Sequence, residues 1–107
     1  MNGGRIGGNG MGVKHGREYE QILNDLTEAV GRIPDSYEFF EMEAEDWDKL
    51  DPAGRQEVNE ALAEDLFYAL GTEPVIAVGS GVVIYEPEQH RIYVLIGDEE
   101  LTSVPLI

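Results

Sequence analysis

The sequence predicts an α+β fold in which two main helices pack on one face of an antiparallel meander sheet of three to five strands. Three observations carry this expectation. Apolar residues recur at three- and four-residue steps over residues 17–34 and again after Pro52. After Gly71 the period switches from helix to strand. The links between the β-rich runs are four residues or fewer, too short for crossover helices, so consecutive strands pair antiparallel. At 107 residues with 42% hydrophobic content, the chain has material for one packed core and not two.

Residues 1–16 hold seven glycines, with Arg5 and Lys14 as their charges. Glycine at that density costs much backbone entropy to order, so the segment reads as a flexible Gly-rich tail before a single domain over 17–107. Tyr19, Ile22, Leu23, Leu26, Val30 and Ile33 then mark one apolar helix face, which Gly31 and the Ile33-Pro34 pair bring to an end. Residues 36–43 are ambiguous between strand and helix. Aromatic content and partial alternation favour a short strand with Phe40 and Met42 on one face. A short helical piece is expected around Ala44 to Leu50. Asp51-Pro52 supplies an N-cap and a first-turn proline for the second long helix.

That helix carries Val58, Ala61, Leu62, Leu66, Ala69 and Leu70 as its buried stripe, with Gly71 as the expected C-terminal cap. Four β-rich runs follow: Pro74 to Val78, Val82 to Glu86, Arg91 to Ile96 and Leu101 to Leu106. Pro105 suits an edge strand, where its missing N–H blocks further pairing.

Composition excludes several functions. With 22 acidic residues against 7 basic ones, the formal charge of −15 opposes direct binding to nucleic acid or to an anionic membrane surface. No apolar run approaches a membrane span, and no signal peptide is visible, which together predict a cytoplasmic protein. Absence of cysteine removes disulfides, thiolate metal sites and a thiol nucleophile.

The chemical motifs fail one by one. His15 and His90 fall in the tail and at a hairpin tip, without an orienting partner or shelter. Asp46, Asp48 and Glu57 match positions 1, 3 and 12 of a calcium loop, but Leu50 and Asp51 stand where an oxygen ligand and a glycine are needed. The tail glycines lack the preceding strand and the lysine of a phosphate loop. Paired carboxylates such as Glu64 and Asp65 are read as solvated surface in a domain with little room for a substrate cleft. No enzyme, metal or cofactor is expected.

Charge distribution is the unusual feature. Residues 35–57 hold nine Asp and Glu against Lys49 and Arg55, a net −7, interleaved with Tyr37, Phe39, Phe40, Met42 and Trp47. Carboxylates around aromatic anchors suit docking on a basic protein surface, the charges steering the encounter and the rings supplying buried area. The candidate partner-binding residues are Glu38, Glu41, Glu43, Glu45, Asp46, Trp47 and Asp48. The expected function is a small, non-enzymatic acidic binding module of the inhibitor, immunity or DNA-mimic type.

The order of helix, short acidic strand, helix and antiparallel meander is similar to that of the uracil-DNA glycosylase inhibitor family. The similarity is one of element order; no residue motif accompanies it and no site is carried over. The alternative reading is a domain whose acidity and scarcity of lysine (Lys14 and Lys49 alone) adapt it to a high-salt cytoplasm.

Overall fold

The structure, a computed structural model, describes residues 13–107. Its elements run α1 (Tyr19–Val30), a 3-10 helix (Ser36–Phe40), α2 (Ala44–Lys49), α3 (Pro52–Ala69), β1 (Val75–Val78), β2 (Gly81–Glu86), a second 3-10 helix (Pro87–Gln89), β3 (Arg91–Ile96) and β4 (Glu99–Pro105). The four strands form one antiparallel sheet in the order β1-β2-β3-β4, the meander that the short links require. The expected α+β class and antiparallel sheet are thus present.

Both long helices bury most of the apolar positions that their spacing marks. Ile22, Leu26 and Val30 of α1 and Leu62 and Leu66 of α3 are fully buried. They meet Val83, Ile92, Val94 and Val104 from one face of the sheet in a single cluster. Asp51 caps α3 by accepting a hydrogen bond from the Gly54 N–H at 2.8 Å, with Pro52 at the first helical position. The stripe of α3 is shifted from the one the spacing suggests: Ala63 and Phe67 are buried, whereas Val58 is half-buried and Ala61 is exposed.

Gly71 does not act as a left-handed cap. The N–H groups of Leu70, Gly71, Thr72 and Glu73 instead turn back onto carbonyls of residues 66, 68 and 69.

Three further expectations are corrected. The tail does not extend to residue 16. Val13 is buried at 3% exposure, and the Gly16 and Arg17 N–H groups both donate to the Leu106 carbonyl at 2.7 and 3.0 Å. The Arg17 guanidinium also donates to the Pro105 carbonyl and pairs with Asp25 at 2.9 Å. These contacts to the end of β4 repay the entropy of ordering 13–16. The rest of the expected tail, 1–12, lies outside the described residues.

Residues 36–40 form a 3-10 helix and not a strand. The chain is pinned at Asp35, whose carboxylate accepts from the Ser80 N–H and hydroxyl at 2.9 and 2.8 Å, and the residues after it close i→i+3 turns beside β1 without pairing with its edge. The order-level similarity to the uracil-DNA glycosylase inhibitor family therefore loses its acidic strand. Finally, the last hairpin turns on two residues, Gly97 and Asp98, because Ile96 pairs with Glu99. A bulge at Leu101 absorbs the register shift between Val94 and Leu95.

Candidate functional site

The acidic segment folds as a connector that leaves the helix-sheet body and returns to it. After the 3-10 helix, Glu41 takes a left-handed conformation with φ of 59°. A non-glycine residue held there costs of order 1 kcal/mol and persists only where its surroundings enforce it. Here the N–H groups of Glu41 and Met42 bond back to the Glu38 and Tyr37 carbonyls, so the strained residue reverses the chain into α2.

This reversal places Met42 beside Phe40 and against the first turns of α3. Phe40, Met42, Glu57, Val58 and Ala61 line an open apolar depression of about 320 Å³. Its floor accounts for the two stripe positions of α3 that are not buried: Val58 and Ala61 have the helical spacing of core residues but line this groove. Phe40 is 37% exposed, whereas its neighbour Phe39 packs on the core and touches it edge-on at 5.4 Å.

Of the seven residues picked from the sequence, Glu38, Glu41, Glu43, Glu45, Asp46 and Asp48 are all exposed. Among the described residues the ion pairs are Arg17–Asp25 and a loose Arg55–Asp48 contact at 3.9 Å. Glu38, Glu41, Glu43, Glu45 and Asp46 thus have no cation within bridging distance among those residues. Trp47 has a different setting. Its ring stacks on Tyr37 at 5.2 Å and 23°, and the Arg55 guanidinium lies 5.2 Å from its centre. Arg55 also donates to the Trp47 carbonyl at 3.2 Å. Trp47, half-buried, therefore fastens α2 to the 3-10 helix through the stacked Tyr37 and to α3 through the cation–π contact with Arg55.

Sequence reasoning did not select Phe40, Val58 or Ala61 for the site. Phe39 and Phe40 are adjacent rings, and which one turns outward depends on whether the segment has a period of two or of three. Val58 and Ala61 follow core spacing and carry no signal that a groove lies above them.

Elsewhere, His15 sits against the Phe67 ring at 5.4 Å with its Nδ1 2.7 Å from the Arg17 carbonyl, and His90 ends the second 3-10 helix with φ of 54°. Asp46 and Asp48 lie on α2 and Glu57 on α3, so the calcium-loop register runs through two helices. Among the described residues no group of three or more His, Asp or Glu converges as metal ligands, and no helix is long and apolar enough to cross a membrane. The chain matches no protein-family model, no curated protein and no solved structure, so the reading of this surface rests on its own geometry.

Proposed function

We propose that the chain is a small, non-enzymatic acidic binding module whose 35–57 segment docks on a basic surface of a protein partner. The observation that carries this reading is the groove of Phe40, Met42, Val58 and Ala61 set among carboxylates that have no cation within bridging distance among the described residues. Unpaired surface charge destabilises the free protein slightly by self-repulsion and is relieved by a cationic partner. An apolar side chain flanked by Lys or Arg has the chemistry that fits the groove: its apolar end fills the depression and its charges meet Glu41, Glu43 and Glu57. The acids then govern encounter, and the groove governs residence.

The test uses immobilised protein, native lysate and elution by a salt gradient, followed by kinetics on each captured protein. Reversing Glu41, Glu43 and Asp46 to lysine should slow association about tenfold or more at low salt, the scale of electrostatic steering. Phe40→Ala should leave association intact and speed dissociation. Captured proteins whose binding ignores Phe40→Ala are held by ion exchange alone, and that result would sink the proposal. A salt series on the free protein separates the high-salt reading, under which stability climbs steeply towards molar KCl.

A further inference from the structure

The sheet has two faces, and the helices occupy one. Alternation along the strands places the side chains left out of the buried cluster on the other face, in two rows set by the register. Val75, Ile84, Tyr93 and Ser103 make one row; Ala77, Val82, Leu95 and Glu100 make the next. Val75 is 57% exposed, Ala77 is exposed, and the four apolar residues of the two central strands are half-buried. In a chain of net charge −15, this face has six apolar side chains side by side with no charge between them.

Charge returns only at the ends. Arg91 stands at one end, paired across the strands with Glu86 and donating to the Ser103 hydroxyl at 3.0 Å. Glu100 stands at the other end, beside Leu95.

We propose that a second copy of the chain packs on this open face, sheet against sheet, about a two-fold axis running across the strands. That axis turns one copy end for end, so Arg91 of each copy meets Glu100 of the other. A two-fold parallel to the strands would lay β4 over β1 and set Glu100 on Ala77, with no cation opposite it. The central rows suit a like-charged copy because two chains of this net charge can touch only where charge is absent. A basic partner gains nothing there and is drawn to residues 35–57 instead.

Four strands about 4.8 Å apart and six residues long give a face of roughly 20 by 20 Å, or about 400 Å² in projection per copy. With rim contacts the pair buries on the order of 1,000 Å² in total, the lower edge of specific interfaces, so the dimer is a weak one that forms at micromolar concentration.

Sedimentation equilibrium of the full chain tests this. Above about 100 µM in 300 mM NaCl, a concentration range suited to a weak interface, the mass should approach twice the 11.9 kDa of one chain. Dimerisation should tighten as salt rises, because screening weakens repulsion between the copies. The acidic docking proposed above has the opposite salt dependence, so the two proposals fail separately. Ile84→Lys should weaken the dimer roughly tenfold or more, since each interface then buries two unpaired ammonium groups. Val75→Lys, at an exposed position, should act in the same direction and guards against misfolding of the first variant.

Arg91→Glu should also weaken it, and the double change Arg91→Glu with Glu100→Arg should restore it. A monomer throughout the concentration range overturns the proposal. So does a dimer indifferent to both lysine variants, which would join through an edge or the groove, or a swapped pair that fails to recover.

Discussion

Gly79→Ala tests how the acidic segment is held to the sheet. Gly79 turns the β1–β2 hairpin with φ of +56°. An alanine Cβ there would overlap the Asp35 carbonyl oxygen and stand 2.5 Å from its carboxylate Oδ1. The left-handed conformation alone costs about 1 kcal/mol for a residue with a Cβ. Relieving the overlap moves Asp35 away from Ser80 and weakens two charge-assisted hydrogen bonds, which at this exposed site are worth about 1–2 kcal/mol together. The expected loss is about 2–3 kcal/mol, a fall in Tm of roughly 10–15 °C for a domain of this size.

Gly97→Ala is the internal control. Its φ is +61°, but nothing lies within 4 Å of the added Cβ, so only the backbone cost of about 1 kcal/mol applies. Urea and thermal unfolding followed by circular dichroism measure both. Equal losses for the two variants would refute the docking of Asp35 on the hairpin, and with it the account of why residues 36–40 are helical.

Other expectations follow from the same contacts. Leu66→Ala should cost about 3 kcal/mol in urea unfolding, because Leu66 is fully buried in the core cluster. Removing residues 1–16 should lower stability by about 2 kcal/mol relative to removing 1–12, through the loss of Val13 burial and of the Gly16 N–H bond to Leu106. The Asp35 carboxyl titrates below its ordinary value because the Ser80 N–H, and secondarily its hydroxyl, bond the charged form. Its contribution is therefore complete above the unfolded carboxylate pKa and is lost as pH falls through the lower folded value. Asp35→Asn should flatten the dependence of stability on pH below about pH 4, measured by urea midpoints at pH 5 and pH 3. The triple lysine reversal at Glu41, Glu43 and Asp46 should change Tm by no more than a degree or two, since exposed charges contribute little.

The amino-acid order by itself determined the two long helices, the Asp51 cap, the antiparallel meander and the concentration of acid in residues 35–57. Each is written locally: apolar spacing of three and four, a proline beside an aspartate, links too short to cross over, and a count of charges. What lay beyond the sequence depended on contacts between distant residues. Val13 is one apolar side chain in a glycine run, and what orders it is burial in the core cluster, with Gly16 held to the Leu106 carbonyl 90 positions later. Phe39 and Phe40 exchange core and groove according to whether their segment is extended or 3-10. Asp35 decides that by reaching Ser80, 45 residues away. Val58 and Ala61 keep core spacing but meet Met42 at the surface, because Glu41 holds a left-handed turn that no local preference of glutamate would choose. Alternation marks the two faces of each strand equally, and the side on which the helices pack is decided by tertiary structure, which among the described residues leaves Ile84 and Leu95 outside the buried cluster. Periodicity reports what a residue can bury; only the assembled layers decide which surface is there to bury it.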